Sequence, residues 1–394
     1  MRSVASFFPA VAAMDERLGL CVRAGALCVA MIWIFGCASL ATGRANSLSA
    51  MADPASPHHA DYLEYQQGRL TKAQLLDRIP HVAMIGDSLS RNFYVSSFPS
   101  MVWRSKMNHG RDWFLDTDPS PNSIYSVYER LGEKTPVVAC EYSSVGATVD
   151  SGKNGSHFLQ CWYPFNFSKQ VDLVLQEKRF PDLALIWIGH NNLHWEWVVD
   201  PHQPEKIDQG LQKLAAGFRK KYARQLGRLV DRARDQNRRC AIVVFGLVNF
   251  TSFFQARDAA EQLRKKDPAL YPYFEVDYKH YATMKPEYRG NMIKLALMIN
   301  AQLRDLVGEF NRKLGADSKV RLFYADALAT ADLSDVTIIN RVDAWHPSPK
   351  GHGVLAATVF SALGPSLDFL GIVPLRKNTD LKEATPTQKN SNFK

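Results

Sequence analysis

Short, mostly apolar runs alternate along this chain with longer stretches whose apolar residues recur every three or four positions. The runs are Val82–Ile85, Val137–Tyr142, Leu183–Ile188, Ala241–Leu247 and Val320–Tyr324. Their length and near-continuous hydrophobicity predict strands buried on both faces of a parallel sheet. Ile207, Leu211, Leu214, Phe218, Tyr222, Leu226, Leu229 and Ala233 mark a helix over about 207–238. Met292, Leu295, Ile299, Leu303, Leu306, Phe310 and Leu314 mark a second. A further helix is expected from Ser88 towards Phe98, and a closing one over Lys350–Leu363. Strands alternating with helices predict an α/β fold, a three-layer α/β/α sandwich on a mostly parallel five-stranded sheet.

Two segments interrupt the alternation. Residues 99–136 hold Trp103, Trp113, Tyr125 and Tyr128 among Pro, Asn and Asp, and residues 249–290 are rich in Phe and Tyr. Both are expected as aromatic-rich insertions, and loops of that length are usually functional. Residues 46–76 are polar without a strong period and are expected as a linker ending in a short helix. The tail 376–394 is polar and expected to be disordered. One domain over 77–375 remains.

Ala24 to Gly43 carries no charge and follows Arg17 and Arg23. Residues 1–45 therefore read as a secretory signal or an uncleaved signal anchor, a choice that length alone does not make. The expected location is secreted, periplasmic, or attached to a membrane through residues 24–43. Export leaves Cys140, Cys161 and Cys240. In an oxidising compartment Cys140 and Cys161 would close a loop worth roughly 3 kcal/mol in the chain-entropy model.

The formal net charge is +9. Ten Lys and Arg residues lie between Lys213 and Arg239 against Asp231 and Asp235. They read as the wet face of an amphipathic helix rather than as a polyanion surface. Basic and aromatic residues do not interleave there, so no nucleic-acid partner is expected.

Two strings carry candidate chemistry. Gly86-Asp87-Ser88-Leu89 follows the first strand directly, and chemistry in open α/β sheets sits at the carboxyl ends of strands. Asp343-Ala344-Trp345-His346-Pro347 puts a carboxylate three residues before an imidazole. Ser88 supplies a hydroxyl, His346 a base with a pKa near working pH, and Asp343 a group to orient that base. The backbone N–H of Ser88, an N–H at Gly146 and the side-chain amide of Asn191 are candidate donors to a developing oxyanion. Other constellations fail. Gly152-Lys153-Asn154 lacks the Ser/Thr of a phosphate-binding loop, no Gly-x-Ser-x-Gly elbow exists, and His190 and His194 read as loop histidines rather than metal ligands. No cofactor or metal is expected.

These blocks, in this order, resemble the SGNH hydrolases, also called the GDSL esterase/lipase superfamily. Gly86-Asp87-Ser88-Leu89 resembles its first block and Gly146 its second-block glycine. Gly189-His190-Asn191-Asn192 is similar to its Gly-x-Asn-Asp block, with Asn192 in place of the usual Asp. Asp343 to His346 resembles its Asp-x-x-His block. The resemblance implies a flavodoxin-like sheet, Ser88 as nucleophile and Asn191 as oxyanion donor. Ser90-Arg91-Asn92 also resembles the PC-esterase branch, which includes polysaccharide O-acetyltransferases, although Arg91 equally fits a solvated helix residue. The expected activity is hydrolysis of a carboxylic ester on an acylated small molecule, glycan or lipid. The alternatives are an O-acyltransferase using the same site and a non-catalytic glycan-binding protein.

Overall fold

The computed structural model describes residues 43–54, 56–91, 112–117, 124–144, 146–149, 166–195, 199–271 and 286–372. Six strands form one sheet: β1 (Gly43–Asn46), β2 (His81–Gly86), β3 (Val138–Glu141), β4 (Leu183–Trp187), β5 (Cys240–Phe245) and β6 (Val320–Ala325). Their order is β1-β3-β2-β4-β5-β6. All neighbours are parallel except the edge pair β1 and β3. The fold is therefore the expected α/β sandwich with one strand more than expected. Without β1 the order is flavodoxin-like, and its direction reverses between β2 and β4. That switch point opens a crevice at the strands' carboxyl ends.

The helices are α1 (His59–Gln66), α2 (Lys72–Arg78), α3 (Val127–Gly132), α4 (Phe167–Gln176), α5 (Pro204–Asp235), α6 (Phe250–Lys266), α7 (Pro286–Leu314), α8 (Pro349–Ala362) and α9 (Gly364–Leu370). α4, α5 and α7 lie side by side, while α8 packs on α3 and α9 on β5. β2, β4 and β5 are buried along almost their whole length. Residues apolar on every position can occupy them because both sheet faces are covered.

Three segments differ from expectation. The stretch 46–76 carries the end of β1, α1 and most of α2 instead of a linker. Ser47 accepts from Val137 N at 2.7 Å and so closes the β1 edge, and Met51 and Leu75 are fully buried. α1 buries none of its residues, so no apolar period announces it. The second aromatic segment begins as α6, with Phe250, Phe253 and Phe254 buried. Residues 88–90 form a turn, with Ser90 N bonded to Asp87 O at 3.1 Å, and residues 92–98 of the helix expected there lie outside the described residues.

Residues 1–42 and 373–394 lie outside the described residues, and with them most of the segment 24–43 and all of the tail. Among the described residues no single helix is long and apolar enough to cross a membrane. Cys161 also lies outside them, so its pairing with Cys140 is not placed. Cys240 is buried at the start of β5, and burial pushes its thiol up to about 12.

The described part of the first aromatic segment is fastened to the closing helix. Trp113 stacks edge-on against Trp187 at 5.7 Å and donates from Nε1 to Leu89 O at 3.1 Å. Its backbone N–H donates to Nδ1 of His352 on α8 at 3.3 Å. His352 is fully buried, and burial, helped by the nearby His346, lowers its pKa from 6.5 to about 3. The unfolded chain therefore takes up a proton at His352 below about pH 6.5 that the native chain refuses until about pH 3. Stability contributed by neutral His352 is present above that window and is lost as pH falls through it. A His352→Asn variant keeps an acceptor for Trp113 but cannot titrate. Denaturant unfolding between pH 7 and pH 4 should show a flatter loss of stability in the variant, by up to about one proton's worth of slope.

Candidate active site

β2 ends at Gly86, in register with Trp187 of β4. The Gln170 side chain of α4 brackets Gly86, accepting from its N–H at 2.9 Å and donating to its carbonyl at 2.8 Å. Glycine is required here by space: a Cβ would lie 2.1 Å from Ser90 Oγ and 3.0 Å from Ser143 Oγ. The turn that follows brings Ser88 to the carboxyl end of the sheet, 6% exposed.

Asp87 holds that turn and joins it to the next. Its Oδ1 accepts from Leu89 N at 3.1 Å. Its Oδ2 accepts from His190 Nδ1 at 2.8 Å and from the backbone N–H groups of Gly189 and His190 at 3.3 Å each. His190 Nε2 accepts from Val248 N at 3.4 Å, which puts the ring proton on Nδ1. Asp87 is fully buried and His190 nearly so, and a buried carboxylate is tolerable only with such a set of donors. Gly189 has φ 134°, and a Cβ there would meet Phe218 at 2.9 Å. No other residue type fits that corner.

The turn after β4 also fixes the loop after β3. Asn191 Nδ2 donates to Ala147 O at 2.9 Å, and Asn192 Oδ1 accepts from Val149 N at 3.0 Å. Asn192 thus makes, as acceptor, a bond that the usual Asp could also make. Gly146 immediately precedes these anchors with φ 70°, a left-handed conformation that favours glycine.

The third segment is the loop before α8. Asp343 is fully buried, and its Oδ2 lies 2.6 Å from His346 Nδ1. Its Oδ1 accepts from Trp345 N at 2.9 Å and His346 N at 3.1 Å. Ala344, between them, has φ 57°, which costs an L-residue about 1–2 kcal/mol. Asn340 offsets that cost three times. Its N–H donates to His346 O at 2.8 Å, its carbonyl accepts from Ala344 N at 3.0 Å, and its Oδ1 accepts from Val342 N at 2.7 Å. Trp345 sinks into the α6 cluster, edge-on to Phe253 at 4.9 Å.

The Ser88 and His346 segments adjoin. Leu89 from one, and Trp345 and Pro347 from the other, border a single cavity of about 30 Å³. Asp343 meets His346 directly, and Asn191 meets the Gly146 loop through Ala147. Arg91, Asp112 and Glu141 form a buried charged cluster. Arg91 is 5% exposed, which corrects the reading of it as a solvated helix residue. Asp112 Oδ1 accepts from Phe114 N at 2.9 Å and Leu115 N at 2.8 Å. Burial first, and then the Glu141 carboxylate hydrogen-bonded to it, push the Asp112 carboxyl well above its usual range.

His190, Asn340 and Gln170 are site residues that sequence reasoning missed. His190 has a signal, its place inside the Gly-His-Asn-Asn string, but its partner Asp87 lies 103 residues away. Asn340 and Gln170 act on partners named only by the fold.

The family model described as GDSL-like lipase/acylhydrolase matches residues 82–359. No curated protein matches. Among solved structures, a lipase from a goat rumen metagenome is similar at 14% identity and a TM-score of 0.37, covering 72% of this chain and 97% of its own. A mutant acetyl esterase with acetate ion is similar at 15% identity and a TM-score of 0.33, covering 74% of this chain and 98% of its own. With well over half its length matched, the chain belongs to the GDSL-like lipase/acylhydrolase family of ester hydrolases.

Proposed function

We propose that this chain is an exported serine esterase that cleaves a carboxylic ester through an acyl-serine intermediate. The observation that carries the reading is the buried Asp343–His346 pair, held at 2.6 Å on a loop that shares a cavity wall with the Ser88 turn. With Nδ1 donating to Asp343, His346 keeps Nε2 for a proton from Ser88. Ser88 Oγ bonds to the acyl carbon, and the proton passes through His346 to the departing alcohol as the ester C–O bond breaks. Water then repeats the sequence in reverse and releases the acid.

The tetrahedral oxygen would be held by the N–H groups of Ser88 and Gly146 and by Asn191. Asn191 already spends one amide hydrogen on Ala147 O, which aims the second. The substrate is an acyl group on a glycan or lipid outside the cytoplasm, a reading that rests on the N-terminal apolar segment and its basic flank. Water is the expected acceptor. Transfer to a sugar hydroxyl would use the same acyl-enzyme, and product analysis with an added glycan separates the two.

A fluorophosphonate probe followed by peptide mapping should modify Ser88 and no other serine, and labelling should vanish in His346→Ala. Modification elsewhere, or undiminished labelling of that variant, would overturn the assignment. On p-nitrophenyl esters, Ser88→Ala and His346→Ala should each lower kcat by about 10³-fold or more. Asn191→Ala should lower it by about 10²–10³-fold.

His190 should act as a positioning residue, because it holds Asp87 between the two turns. Asparagine places an amide where Nδ1 stands, whereas leucine offers no donor. His190→Leu should lose about 10- to 100-fold in kcat with KM nearly unchanged, and His190→Asn should recover most of it. A fully active leucine variant, or an asparagine variant that folds normally without recovery, contradicts the role.

A further inference from the structure

A second concavity lies on the same side of the sheet as the Ser88 turn. α5 and α7 both begin at the carboxyl end of the strands, because each leads from one parallel strand back to the start of the next. Between their first halves runs a cleft of about 970 Å³. Phe218, Leu295 and Ile299 contribute apolar lining, and Asn192 borders it. Asn192 is the chain neighbour of Asn191, so the cleft adjoins the oxyanion side of the site.

Cations and amides accompany this apolar lining, which gives Lys213 and Lys221 a place beyond the wet helix face expected of them. Lys206, Lys213 and Lys221 of α5 contribute to it, against Asp200 as the one acid among the described lining residues. Asp208, on the same helix, is neutralised by Lys294 at 2.6 Å. With a 1.5 Å rise per residue, the three lysines stand about 10 Å and about 12 Å apart along the helix axis. Gln209 and Gln212 lie among them, and their amides can both donate to and accept from hydroxyl groups.

A regular row of cations, interleaved with amides and set in a groove, suits a single extended polymer that carries hydroxyls throughout and an anion at intervals. A membrane surface fits less well, since a concave wall between two helices does not reach a flat bilayer. We infer that this cleft binds an acidic polysaccharide and feeds its O-acyl groups to Ser88. The second half of that statement rests on the esterase reading; the first half does not.

The test uses the full chain carrying Ser88→Ala, so that no turnover is needed. Its affinity for polygalacturonate, for uncharged dextran of similar length and for anionic phospholipid vesicles is measured at low and moderate salt. The polyuronate should bind, dextran should bind at least tenfold more weakly, and added salt should weaken the polyuronate complex. Adding Lys206→Gln and Lys213→Gln should weaken polyuronate binding at least tenfold with an unchanged Tm. Removing the same charge at the distal ends of the two helices, with Arg234→Gln and Arg312→Gln, should leave binding within about twofold. Equal binding of dextran, equal loss in the distal pair, or vesicle binding without polyuronate binding would each overturn the proposal. Polyuronate binding by a chain whose wild type cleaves no ester would keep the cleft and remove the esterase reading.

Discussion

A carboxylate with no water around it must be satisfied by the protein, and Asp87 is such a group. Four donors converge on it: one from the turn after β2 and three from the turn after β4. β2 and β4 are the two strands between which the sheet changes direction. The interaction therefore closes the floor of the crevice that this topology opens. It sets Ser88, one residue on, at a fixed place relative to Asn191, one residue beyond His190. If those donors were lost the carboxylate would be buried and unpaired, which costs far more than a surface bond.

The other half of the site is held by different means. The His346 loop is closed at its base by a single β-bridge, Ile339 to Pro347. It relies on Asn340 for its backbone and on Trp345, pressed against Phe253, for its anchorage. The aromatic segment around α6 thus serves to seat a histidine, which explains a cluster that would otherwise look like a satellite core. The two halves meet where Leu89 faces Trp345 and Pro347. Ala344 in its left-handed conformation shows that the loop accepts local strain to bring Asp343 under the imidazole.

Local patterns made much of this legible. Continuous apolar runs mark the five parallel strands, and a three- and four-residue period marks α5 and α7. Asp343 and His346 were readable as a pair because they lie within one turn of chain. What escaped depends on distant partners. β1 is short and polar, and only its antiparallel pairing with β3 makes it a strand. Arg91 looked like a solvated residue because Asp112 and Glu141, the acids that justify its burial, lie 21 and 50 positions further along the chain. His190 and Asp87 are 103 residues apart, and nothing local to either announces the other.

The central claim is that Ser88 and His346 work as one unit. A double-mutant cycle on kcat measures that most directly, with Ser88→Ala, His346→Ala and the pair compared on one p-nitrophenyl ester. A shared proton transfer predicts that the second substitution costs almost nothing once the first is made. Losses that multiply across the two positions would mean independent action, and would contradict the account.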